Sequence, residues 1–211
     1  MKFLTPFYNL IFIAMMVIIS SSTIIVYGFA KINEKESAII DLYQLKTDIL
    51  NANIALRNAA IAPNLAFQEN ELAKMLVTRS SANKIYDRLS ATELTHFQDT
   101  ILSEMKRERP QYREAQLKVV ADVRKNNPEV WENMLYYNTL MDKYLDRCTV
   151  FITSIEKNVE FFYSLVKASM LISILVVITI MYILIRKVYA FYQISKYLDK
   201  EESKHEYYTE S

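Results

Sequence analysis

The sequence of 211 residues holds a single glycine, a single cysteine, two histidines and four prolines. An average composition, about 7% glycine, would place roughly fifteen glycines in a chain of this length. Without them, primed hairpin turns, glycine-rich phosphate loops and dinucleotide fingerprints have nothing to be built from. One cysteine excludes an internal disulfide, and with two distant histidines it does not close a zinc site, so neither a metal nor a cofactor is expected. A net charge of +1 argues against a nucleic-acid partner. What remains is an all-helical protein.

Charge is missing locally as well. From Phe3 to Ala30 there are 28 consecutive uncharged residues, and from Ala168 to Ile185 there are 18. About 20 apolar helical residues cross the roughly 30 Å hydrocarbon core of a bilayer, so both stretches qualify as spans. Lys167 extends the shorter one by snorkelling. Aromatic residues flank both: Tyr8 and Tyr27 at the first, Phe161, Phe162, Tyr182 and Tyr189 at the second, as at lipid–water boundaries. The sequence predicts transmembrane helices over 7–30 and 168–185, with the lipid bilayer as a partner. The competing reading of the first stretch is a cleaved leader, with Gly28 and Ala30 at the small-residue positions. Its apolar run is long for a leader, and helical patterning continues past Ala30.

Arg186 and Lys187 directly follow the second span, and Lys2 precedes the first. The positive-inside rule then places both termini in the cytoplasm, residues 1–6 and 186–211, with 31–167 outside. The expected location is a bacterial inner membrane, crossed twice.

The segment between the spans is balanced, with 19 basic and 19 acidic side chains, and has no glycine. Its apolar spacing is helical throughout. Ala38, Leu42, Leu45, Ile49, Ala52, Leu56 and Ala59 alternate steps of four and three, and so do Val130, Met134, Tyr137, Met141, Tyr144, Cys148, Phe151 and Ile155. These are heptad seams. Weaker stripes run through Leu72, Met75, Arg79, Ala82, Tyr86 and Leu89, and through Leu94, Phe97, Ile101, Tyr112, Ala115, Val119 and Val123. Asn64 reads as an N-cap, Ser90-Ala91-Thr92-Glu93 as a capping box, and Asn127-Pro128 as a cap with proline in the first turn. Pro110 predicts a kink, Arg109 being biased away from helical geometry, with an additional short helix as the alternative. The expected helices are 31–62, 65–89, 91–126 and 128–167. The fold class is therefore an all-α, membrane-anchored antiparallel up-down four-helix bundle flanked by two transmembrane helices.

This arrangement resembles the four-helix-bundle ligand-binding module of bacterial methyl-accepting chemotaxis receptors. The segment NIALRNAAIAPN, residues 53–64, is similar to the end of that family's first helix. NNPEVWENMLYYNTLMDKYLD, residues 126–146, is similar to the opening of its fourth. The resemblance implies a periplasmic sensor that is a homodimer, or a heterodimer with chemoreceptors, takes a small-molecule ligand and relays its presence through the membrane helices. It departs from the pattern after the second span. Residues 186–211 leave no room for the HAMP linker and methylated hairpin of such receptors. The alternative is an accessory or structural membrane protein that pairs with full-length receptors or another complex, including a truncated receptor.

Among candidate ligand-binding residues, Asn53 and Arg57 are four apart and share a helix face, with Asn58 beside them. An arginine flanked by amides suits a small carboxylate; the plainer reading is a solvated flank or an inter-subunit ion pair. Arg79 and Asn158 on seams read as register-setting polar residues. Lys106, Arg107, Arg109 and Arg113, interleaved with Glu104, Glu108 and Glu114, read as a salt-bridged exposed face, with an anion site as the lesser option. Tyr136, Tyr137 and Tyr144 read as packing. Cys148 reads as a buried inert thiol, or as a cross-subunit disulfide if it faces a partner. His96 and His205 fall on opposite sides of the membrane, and no nucleophile–histidine–carboxylate set assembles, so no enzymatic activity is expected.

Overall fold

The computed structural model describes the backbone of residues 5–209 and the side chains of residue 9, residues 11–77 and residues 81–197. Four helices account for nearly all of it: α1 Thr5–Ala60, α2 Leu65–Ala91, α3 His96–Lys125 and α4 Val130–Thr209. Among the described residues there is no strand. The chain divides into two compact units, one of Met1–Phe29 with Tyr163–Ser211, the other of Ala30–Phe162.

In the first unit, α1 and α4 each contain a stretch long and apolar enough to cross a membrane, with mean hydropathy 2.2 and 2.7. Only 17% and 6% of these windows are buried, the reverse of what a core helix of a water-soluble protein shows. Several of their hydroxyls bond inside the helix: Ser22 and Thr23 donate to the carbonyls of Ile18 and Ile19, Ser173 to that of Ser169 and Thr179 to that of Leu175. A polar group facing hydrocarbon needs such an internal partner.

The second unit is an antiparallel up-down bundle, as its cross-links show in order. Along α1 and α2, Lys31 meets Glu93, Asp41 meets Arg88 and Asn58 meets Glu71. Along α2 and α3 the pairs are Glu69–Arg124, Asn83–Arg109 and Ser90–Lys106. Along α3 and α4 they are Gln98–Ser154, Glu104–Arg147, Gln111–Tyr136 and Asp122–Asn133. Lys46–Thr149 joins α4 to α1. In every pair of series one number rises as the other falls, the signature of alternating helix direction.

Both heptad seams are the core. All seven α1 positions from Ala38 to Ala59 and all eight α4 positions from Val130 to Ile155 are buried. The α2 stripe holds at Leu72, Met75, Tyr86 and Leu89, with Ala82 partly covered; the Arg79 side chain lies outside the described residues. Asn158 is half-buried, Val159 taking the covered position beside it.

The turns follow local chemistry, with corrections. Asn64 caps α2, its side chain accepting from the Phe67 N–H at 2.9 Å. The capping box lies at Thr95-His96-Phe97-Gln98, not at Ser90–Glu93, so α2 runs on to Ala91 and α3 starts at His96, not 91. Glu93 is occupied elsewhere: its carboxylate meets Lys31 and its N–H donates to Glu34. The later start also corrects the α3 stripe: Phe97 is exposed, and Gln98 is fully buried in its place. Pro110 lies inside an unbroken α3 with Arg109 helical, so no additional helix begins there. α3 ends on Asn126 at φ 52°, with Asn127 N–H bonded to Asp122 O and Asn126 N–H to Val123 O. That is a Schellman closure, in which asparagine takes the left-handed place glycine usually holds. Asn127 then caps the next turn through the Glu129 N–H, and regular helix begins at Val130 instead of at Pro128.

Candidate functional site

Halfway along the bundle the seams part. Leu45, Asp48, Ile49 and Ala52 of α1, Ala82 and Tyr86 of α2, Arg109, Tyr112, Arg113 and Gln116 of α3, and Tyr144 of α4 line a cavity. It holds about 50 Å³ of space for water centres, several times the ~10–15 Å³ one water needs. Its apolar walls and the tyrosines Tyr86, Tyr112 and Tyr144 come from seam positions, and Asp48, Arg113 and Gln116 lie one step off the seams. Asp48 lies three beyond Leu45 and four before Ala52, and Gln116 lies three before Val119, so both helices carry these side chains inward.

Two polar atoms in this wall have no hydrogen-bond partner among the described residues. Asp48 is 6% exposed; its Oδ1 accepts from Gln44 Nε2 at 2.7 Å, but Oδ2 accepts nothing. Tyr86 is 4% exposed and its hydroxyl is unbonded. Burial pushes the Tyr86 phenol well above its ordinary range, with the Cys148 thiol adding to the rise and Arg109 opposing it, so Tyr86 stays a neutral donor. The Arg109 guanidinium lies 4.6 Å from the Tyr86 ring centre and also bonds Asn83. Half-buried Arg113 makes no hydrogen bond or ion pair among the described residues.

Three tyrosines close the α3–α4 side. Tyr112 stacks on Tyr144 at 5.7 Å and tilts against Tyr137 at 5.2 Å, with 2.8 Å between the Tyr112 and Tyr137 hydroxyls. Burial raises the Tyr112 phenol, and contact with Tyr137 raises it further. Tyr137 is also raised by burial, although its bonds to Tyr112 and Gln116 and the charge of Arg57 work against the rise. The cavity thus offers an unpaired carboxylate oxygen, an unpaired hydroxyl, aromatic faces and a guanidinium with open donors.

The residues expected to bind ligand, Asn53, Arg57 and Asn58, all lie near the end of α1. Asn53 is buried with Oδ1 unpartnered, Arg57 is exposed, and Asn58 bonds Glu71 of α2 at 3.3 Å. None of the three lines the cavity. The α3 charges also differ from expectation. Glu104 and Glu108 reach across to Arg147 of α4, and Glu108 also to Lys143, instead of pairing along their own helix. Tyr137 and Tyr144 are core residues and Tyr136 is exposed. Cys148 is fully buried, its thiol pushed up to about 12 by burial. His96 is exposed, and the His205 side chain lies outside the described residues. Asp48 and Gln116 are not read from the sequence, and Tyr86 reads only as a stripe residue. Their signal is a polar side chain with seam residues three or four positions away on both sides.

No protein-family model matches the sequence, and no curated protein does. Among solved structures, the fold is similar to the periplasmic sensor domain of a sensor histidine kinase, with TM-score 0.57 at 10% identity. The match covers 65% of this chain and 93% of that domain. At this identity the likeness is one of helical fold alone.

Proposed function

We propose that the chain is an inner-membrane sensory protein, akin to chemotaxis receptors, whose periplasmic bundle binds a small molecule in the cavity beside Asp48. The observation that carries this reading is the pair of buried, unpartnered polar atoms, Asp48 Oδ2 and Tyr86 Oη, facing a cavity that also holds Arg113. A buried polar atom without a partner costs about 1–3 kcal/mol, a cost that a bound polar molecule removes. The best-fitting ligand has an anionic group for Arg113 next to a hydrogen-bond donor for Asp48, as in a small hydroxy- or amino-carboxylate. The likeness of fold to a periplasmic sensor domain supports the same reading. The protein acts by binding and not by catalysis.

In this reading 7–30 and 168–185 cross the membrane and both termini are cytoplasmic. Occupancy of the cavity shifts α4 against its neighbours, packed helices moving by about 1–2 Å between discrete arrangements. One helix from Val130 to Thr209 carries that shift onward.

The test is a calorimetric screen of small hydroxy- and amino-carboxylates against the full chain in lipid nanodiscs. Saturable binding that weakens about 10–100-fold in Asp48→Asn and Arg113→Ala, and is unchanged in Arg57→Ala, supports the proposal. No saturable binding across the panel, or equal loss in Arg57→Ala, refutes it.

A further inference from the structure

The core seam of α1 continues one step back from Ala38, and that step is a lysine. Lys35 lies three positions before Ala38 and seven before Leu42, and it is 4% exposed. It makes no hydrogen bond or ion pair among the described residues. The acids nearby are already engaged. Glu34 and Glu93 both pair with Lys31, and Glu34 also accepts from the Glu93 N–H at 2.8 Å. Burial holds the Lys35 amine below the ordinary lysine pKa, with Glu34 and Glu93 opposing the fall and Lys31 adding to it. A covered charge without a hydrogen-bonded partner is costly, so this amine calls for an acceptor that the bundle does not supply.

We propose that Lys35 holds the phosphate group of a phospholipid, in the leaflet on the bundle's side of the membrane. Position selects that occupant. Residues 30 and 35 belong to one unbroken helix, so Lys35 lies about 7.5 Å beyond the end of the first span. The headgroup layer on each side of a bilayer is about 5–8 Å deep. Helical side chains lean towards the N-terminus of their helix, and in α1 that is the direction of the span. The four-carbon stem of Lys35 therefore runs back towards the headgroups, as a snorkelling lysine does. Its amine is not among the fully enclosed atoms, which leaves it open to a ligand from that side. The start of α3 lies at the same end of the bundle, just after the Glu93 that meets Lys31 and Glu34. A helix N-terminus adds positive potential there, which favours a phosphate. The proposal rests on 7–30 crossing the membrane and not on what the cavity binds.

The experiment compares the full chain in nanodiscs of phosphatidylglycerol and of a phosphate-free galactolipid, following thermal loss of helix by circular dichroism. The wild-type chain is expected to melt about 4 °C higher in phosphatidylglycerol. Lys35→Met, which keeps the apolar stem, is expected to melt at the same temperature in both lipids. Lys31→Met is expected to melt lower and to keep the difference between lipids. If Lys35→Met does not fold, solid-state NMR of the lysine-labelled chain in phosphatidylglycerol decides. The amine signal that Lys35→Arg removes is then expected to be dephased by lipid phosphorus. No lipid difference in the wild type, an equal difference in folded Lys35→Met, or an amine signal untouched by phosphorus would each overturn the proposal. Recovery of the higher melting point in galactolipid by inorganic phosphate would overturn the lipid as its source. Failure of the chain to enter nanodiscs would overturn the membrane reading, and this proposal with it.

Discussion

Three single residues carry unusual burdens. Asp48 keeps a carboxylate oxygen buried without a partner, a cost to stability that suits a binding site better than a scaffold. Asp48→Asn should therefore raise the stability of the ligand-free protein by about 1–2 kcal/mol in urea unfolding, even as it weakens binding. A loss of stability would show the carboxylate to be structural. Asn126, at φ 52°, should tolerate glycine and lose about 1 kcal/mol with alanine, read from the same unfolding curves. Cys148 has its pKa raised from 9.0 to about 12. Its stabilising effect is complete below pH 9, where the unfolded thiol is still protonated, and is lost as pH rises from there towards 12. Tyr86, Tyr112 and Tyr137, also raised, act in the same sense. Chemical denaturation across pH 8–11 should show stability falling with pH. Maleimide should leave Cys148 unlabelled at pH 7 until the chain unfolds.

Among the elements, the start of α3 shows how far local signals reach. Ser90-Ala91-Thr92-Glu93 and Thr95-His96-Phe97-Gln98 both have capping-box spacing. The contacts of Glu93 with Lys31 and Glu34 of α1 decide between them, and no local window contains that contact. Thr95→Ala should cost about 1 kcal/mol of bundle stability; an effect below a few tenths would return the cap to the earlier site. The seams of α1 and α4 were legible throughout, because 3–4 spacing over two dozen residues leaves a single inward face. The α3 stripe was misread at its first turn only, where Phe97 looks like core and Gln98, fully buried, does not. Asp48 and Gln116 are not singled out, Tyr86 reads as packing, and Arg113 reads as one charge of an exposed cluster, because helices must converge before these residues share a wall. Arg57, singled out by its type and its spacing from Asn53, is exposed, and its charge reaches buried Tyr137.

For the whole molecule, the two apolar stretches are the feature that needs a medium. The α1 and α4 windows are almost wholly uncovered by protein, and in water they would be an aggregation surface; lipid is the medium that resolves them. The most direct test of a membrane-anchored periplasmic bundle is cysteine accessibility in intact cells, with exposed Thr100→Cys in α3 and exposed Tyr192→Cys beyond the second span. The account predicts that an impermeant maleimide labels position 100 in intact cells and position 192 only after the membrane is opened. Labelling of both positions from the same side would contradict it.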